Sequence, residues 1–127
     1  MRILLADDNV GIRAALRLLL EEFGKHDIIE AADEQELLCA AERTQPDVII
    51  LDWELPEGSS QSRDGLPQQA RSVALVKELR RRCRASQIIA TSTGPEAEES
   101  SQVAGCDGFV SRNEPPDRLL TLLRIEH

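Results

Sequence analysis

The sequence predicts an α/β fold, a doubly wound, five-stranded parallel sheet with five helices, built as one domain over residues 1–127. Three observations carry that expectation. Apolar runs of strand length alternate five times with segments of helical period. The runs are continuously apolar, as strands covered on both faces require. Polar and acidic residues close them, the habit of a sheet that gathers ligand-binding groups at the carboxyl ends of its strands.

In chain order, Ile3 to Ala6 form the first strand, and "DDNV" follows it at once. Ile12, Ala15, Leu16, Leu19, Leu20 and Phe23 recur at i, i+3, i+4, i+7, i+8 and i+11, the apolar stripe of a helix, with Gly24 as its C-cap. Ile28 and Ile29 mark the second strand. Asp33 with Glu36 makes an aspartate form of the capping box, opening a helix with Leu37, Leu38 and Ala41 inward. Pro46 separates it from the strand Val48 to Leu51. The stretch "PEGSSQSRDGLPQQ", Pro56 to Gln69, is polar and rich in turn formers, so a surface loop is expected.

Leu75, Val76, Leu79 and Cys83 line the third helix, whose other sides carry Lys77, Arg80, Arg81, Arg82 and Arg84. These basic residues read as a solvated face in preference to a nucleic-acid or kinase-docking surface. Ile88 to Thr91 is the fourth strand. Pro95 to Ala104 is a weakly apolar helix with Gly105 after it. Phe109 and Val110 mark the fifth strand, and Pro116 to Ile125 the last helix, with Leu119, Leu122 and Leu123 inward.

Composition narrows the function. Fifteen Lys+Arg against 23 Asp+Glu give a formal charge of −8, which argues against direct nucleic-acid binding, since that rests on a basic surface. Cys39, Cys83 and Cys106 are odd in number and lack CxxC spacing, so buried free thiols in a reducing compartment are expected, without a zinc site or disulfides. No signal-peptide pattern opens the chain, and no apolar run approaches the roughly 18 residues of a membrane span. The expectation is a cytoplasmic protein.

Two adjacent aspartates after a buried strand repel one another unless a positive charge answers them. Asp7 and Asp8 follow the first strand and Asp52 follows the third. If those strands are neighbours, three carboxylates meet at one edge. Hard cations such as Mg²⁺ take oxygen ligands and keep several waters, so the trio makes a reasonable site. The plainer alternative is that Asp8 or Asn9 only caps the first helix. Ser92, in "QIIATSTGP", and Arg112, in "GFVSRNEPP", end the fourth and fifth strands and place a hydroxyl and a cation at the same edge. Their plainer alternatives are a helix cap for Ser92 and Thr93 and a solvated side chain for Arg112.

Taken in order, "LLADDNV", "IILDWELP", "IIATST" and "GCDGFVSRNEPP" resemble the response-regulator receiver domain of two-component signalling, over the whole chain. The resemblance implies a flavodoxin-like receiver fold with Asp52 as phosphoacceptor. It implies Mg²⁺ as cofactor, held by Asp7, Asp8 (through water), Asp52 and the backbone carbonyl of Glu54. Ser92 would be the hydroxyl that binds the phosphoryl group, with Thr91 the second choice. Phe109 would be the aromatic whose rotamer follows that hydroxyl.

A sensor histidine kinase or histidine phosphotransfer protein would be the donor, and a downstream protein target the recipient of the signal. The chain would be no enzyme beyond self-phosphorylation and self-dephosphorylation. A monomer or weak homodimer is expected, working as a stand-alone receiver because the sequence stops directly after the last helix.

The sequence departs from the family pattern in three places. Arg112 stands where the family carries Lys, and guanidinium is planar and forked where ammonium is a point charge. It can clamp a phosphoryl oxygen, or pair permanently with Asp52 and leave a phosphorylation-independent pseudo-receiver. Asn113 replaces the usual Pro, and the Pro56 to Gln69 stretch is longer than the family norm. A Mg²⁺-dependent phosphatase with an aspartyl nucleophile is a third class, for which Glu54 is a poor acid/base.

Overall fold

The computed structural model describes residues 1–22, 24–56, 67–114 and 117–123. Strands β1 (Arg2–Ala6), β2 (Asp27–Ala31), β3 (Val48–Asp52), β4 (Gln87–Ser92) and β5 (Gly108–Ser111) alternate with helices α1 (Val10–Glu22), α2 (Glu34–Thr44), α3 (Gln68–Arg82), α4 (Pro95–Ala104) and α5 (Asp117–Leu122). All the pairings are parallel, in the order β2-β1-β3-β4-β5. The chain steps outward from β1 to β2, then returns to the other side for β3. That reversal opens a crevice between the carboxyl ends of β1 and β3.

Period-2 alternation sorts the strand residues into two cores. Leu4, Ala6, Ile49, Leu51, Ile88 and Ala90 pack with Leu37 and Ala41 of α2, Leu75 and Leu79 of α3, and Ala97 of α4. Ile3, Leu5, Val48, Ile50, Ile89 and Val110 face Leu20 of α1 and Leu119 and Leu120 of α5. Both faces of the sheet are therefore covered, which is why the strands read as unbroken apolar runs.

The helix caps follow the side chains. Asn9 Oδ1 accepts from the Ile12 N–H at 3.0 Å and so caps α1. Asp33 accepts from the Glu36 N–H at 2.8 Å, while Glu36 reaches back to the Ala32 N–H at 2.9 Å, a capping box displaced by one residue. Gly105 ends α4 with φ 97°, and its N–H bonds back into the last turn.

Some element boundaries differ from expectation. Helix α3 begins at Gln68, so the end of the expected loop is helical. Pro67 sits just before it at φ −60°, where a missing N–H costs nothing. Cys83 lies one residue past the helix, still buried. Phe23, residues 57–66, Pro116 and residues 124–127 lie outside the described residues, so those parts of the expected loop and helices receive no structural account.

Cys39 is exposed, against the expectation of buried thiols, because it falls on the outward side of α2. Cys83 conforms, and burial pushes the half-buried Cys106 thiol up to about 12.

The basic run on α3 is largely committed to ion pairs. Arg80 bonds the carbonyls of Ser86 and Gly105, both at 2.8 Å, and the Asp107 carboxylate at 2.6 Å, tying α3 to the starts of β4 and β5. Arg81 and Arg82 share Glu78, and Arg82 also reaches Glu42 of α2. Helix α4 packs against α3, β4 and β5. Among its described residues only Ala97 and Ser101 are buried, and Val103 is 79% exposed.

Candidate functional site

The register of β1 on β3 pairs Ala6 with Leu51, so Asp7 and Asp52, the next residue of each strand, come level at the crevice. Alternation turns both toward the side covered by α1 and α5. Both are buried, each 3% exposed, while Asp8 faces solvent. Asp7 is fixed from several directions. Its N–H donates to the Ala31 carbonyl at 3.0 Å, its carboxylate accepts from the Asn9 N–H at 2.9 Å, and Arg13 donates to its carbonyl at 2.6 Å. With Asn9 supplying the α1 cap, neither aspartate is consumed as a cap.

Asp52 accepts from the Glu54 N–H at 3.0 Å, and the Trp53 N–H continues the ladder to the Thr91 carbonyl at 2.9 Å. Arg112 enters from the far side, placed by its N–H on the Ser92 carbonyl at 2.9 Å. Its Nη2 pairs with Asp7 Oδ2 and lies 3.3 Å from Asp52 Oδ1 and 3.5 Å from Thr91 Oγ1.

Burial dominates the electrostatics. It pushes the Asp52 carboxyl up to about 7, against the opposing Arg112 charge and the Glu54 N–H and with the help of the nearby Asp7 charge. Burial likewise raises Asp7, more than the Asn9 hydrogen bond and Arg112 lower it. These are acids whose ionised forms are short of positive charge.

Asp7, Asp8 and Asp52 each offer a carboxylate oxygen, and the three oxygens lie within 4.8 Å of one another. An all-oxygen, partly open set with an unmet negative charge fits a hard divalent cation. The sequence-predicted hydroxyls fall on opposite sides of β4. Thr91 is on the Arg112 side, its Cα paired with that of Asp52. Ser92 is fully buried; its hydroxyl donates to the Glu54 carboxylate and accepts from the Gly94 N–H at 3.1 Å.

The Ser92 hydroxyl thus closes a local turn, but no side chain caps α4 itself. Phe109 is 7% exposed and borders a cleft of about 340 Å³ with Thr93, Gly94 and Pro95. Sequence reasoning missed Arg13, which braces the Asp7 carbonyl; its place one helical turn into α1, beside the first strand's end, was the available signal.

The chain matches the sequence model of the response regulator receiver domain over residues 3–124. It belongs to that family. This receiver domain is 26% identical over 127 aligned residues to the phosphate regulon transcriptional regulatory protein PhoB of Escherichia coli K12, an alignment covering 97% of this chain and 50% of PhoB. With the KDP operon transcriptional regulatory protein KdpE of the same organism it shares 29% over 124 residues, 97% of this chain and 49% of KdpE.

The receiver domain spans about half the length of these curated relatives. The chemotaxis protein CheY4 of Vibrio cholerae superposes with a TM-score of 0.75 at 26% identity, covering 98% of both chains. The expected flavodoxin-like architecture and the receiver-domain family are thereby met. Among the described residues no helix is long and apolar enough to cross a membrane.

Proposed function

We propose that this receiver domain accepts a phosphoryl group on Asp52 from a phosphohistidine of a sensor histidine kinase or histidine phosphotransfer protein, and that the modified residue re-sets the α4–β5–α5 face for a downstream protein target. The observation that carries the reading is the meeting of Asp7, Asp8 and Asp52 at one crevice with Arg112 against them. A carboxylate oxygen of Asp52 attacks phosphorus, the P–N bond breaks, and the imidazole nitrogen keeps the electron pair and takes up a proton. Charge in such a loose transition state spreads over the phosphoryl oxygens, so positioning and cationic groups do most of the work.

Asp7, Asp8, Asp52 and the Glu54 carbonyl would hold Mg²⁺, which when bound supplies positive charge to those oxygens. Arg112 swings from the carboxylates to a phosphoryl oxygen. Thr91, on the Arg112 side of β4, donates to the phosphoryl group in place of Ser92, which stays with the Glu54 carboxylate on the opposite side of the strand. Phe109 follows the Thr91 hydroxyl, and α4, in which Ala97 and Ser101 are the buried residues, shifts with it. The apolar groove of about 260 Å³ between α1 and α5, lined by Ile12, Leu16 and Leu119 next to Arg112, suits the donor's docking.

Incubation with acetyl phosphate and Mg²⁺ is expected to add one phosphoryl group to the intact mass of the chain. Amide exchange in α4 is expected to quicken or slow severalfold when beryllofluoride and Mg²⁺ are present. The competing reading, a pseudo-receiver in which Arg112 pins Asp7 and Asp52 permanently, is favoured by that ion pair; an unchanged mass together with unchanged α4 exchange would establish it.

A further inference from the structure

We propose that Arg112 is a tethered counter-ion on Asp7 and Asp52, two of the three acids, so that its release from them sets the threshold for divalent-metal loading. The inference rests on the reading of that trio as a metal site. It adds a chain-specific control, because all the contacts come from one nitrogen. Nη2 alone pairs with Asp7, stands 3.3 Å from Asp52 and lies 3.5 Å from the Thr91 hydroxyl.

A guanidinium that grips one carboxylate as a fork uses two nitrogens. Here a single nitrogen is shared between carboxylates from two strands, the arrangement of a bridging cation. The Arg112 side chain is 24% exposed and the two acids 5% and 3%, so salt screens the contact little. Among the described residues no other cation takes its place: Arg13, the nearest candidate, is spent on the Glu30 carboxylate at 2.9 Å and the Asp7 carbonyl.

Two consequences oppose one another. In the metal-free protein the bridge relieves repulsion between buried carboxylates and so stabilises the fold. Toward a divalent ion the same bridge is a competitor present at high local concentration, because it is covalently attached to β5. A lysine in its place, a compact charge without a planar span, would bridge less well.

Isothermal titration of the full chain with Mg²⁺, followed in parallel by the fluorescence of the sole tryptophan, Trp53, tests this with Arg112→Lys and Arg112→Gln. Affinity is expected to rise from Arg to Lys to Gln, by about tenfold overall, while the metal-free melting temperature falls in the same order. A merely structural arginine would lower both quantities together. Coincident isotherms for Arg and Gln, or weaker binding by Gln, would overturn the latch and leave the metal site standing. Absence of Mg²⁺ binding in all three proteins would overturn the latch and the metal reading together.

Discussion

Asp52→Asn is expected to abolish phosphoryl uptake completely and, in EDTA at pH 8, to make the protein more stable. The Asp52 carboxyl sits at about 7 in the folded protein against an ordinary value of 3.8. Between those values the unfolded chain is ionised there while the folded chain still holds the proton. Stability therefore falls as pH rises through that window and levels off above about pH 7.

The buried charge costs the metal-free fold roughly 1–3 kcal/mol at pH 8 once relaxation is allowed for, and removing it raises the melting temperature by about 3–10 °C. Asparagine keeps the acceptor for the Glu54 N–H, so the local turn survives. Thermal melts from pH 4 to pH 8 check this. The two proteins should differ least near pH 4, where the unfolded wild-type chain is already about half protonated at this carboxyl, and diverge above it. A variant less stable than wild type at pH 8 would contradict the electrostatic account.

The largest structural effect is expected from Trp53→Ala. Trp53 is fully buried beside Asp52, in the core shared by α2, α3 and α4. Its N–H and carbonyl are held by Thr91 and Ser72, so the backbone cannot collapse into the space left by the indole. Truncation of a large buried aromatic costs about 3–5 kcal/mol, a large share of the 5–15 kcal/mol that holds a domain together. A fall in melting temperature of roughly 10–20 °C follows. Circular dichroism is the probe, because the variant has no tryptophan left to report. Trp53→Phe should lose less than half as much; an alanine variant within 1 °C of wild type would show that the indole is not part of the core.

The sheet and the carboxylate crevice were legible because each rests on local chemistry: apolar runs of strand length, and acids placed immediately after them. Once β1 and β3 are neighbours, Asp7 and Asp52 meet whatever else the chain does. The roles of Thr91 and Ser92 were not legible in the same way. A strand buried on both faces has no polar alternation, so "IIATST" carries no mark of which hydroxyl turns toward Arg112 and which toward Glu54.

The partners of Arg80 and Arg82 were equally hidden. Asp107 and Glu42 lie 27 and 40 residues away, and an ion pair at that separation leaves no periodic trace. Arg112 could be placed at the site edge from its position after β5. That one of its nitrogens would serve two carboxylates follows only from the geometry of three strands together.

The most direct measurement is transfer from a radiolabelled phosphohistidine donor protein to wild type and to Asp52→Asn, followed by neutral hydroxylamine. Label that enters the wild type, leaves with hydroxylamine as an acyl phosphate must, and never enters the variant is the expected outcome. Label that persists in Asp52→Asn, or a wild type that stays unlabelled with Mg²⁺ in excess, would contradict Asp52 as the phosphoacceptor.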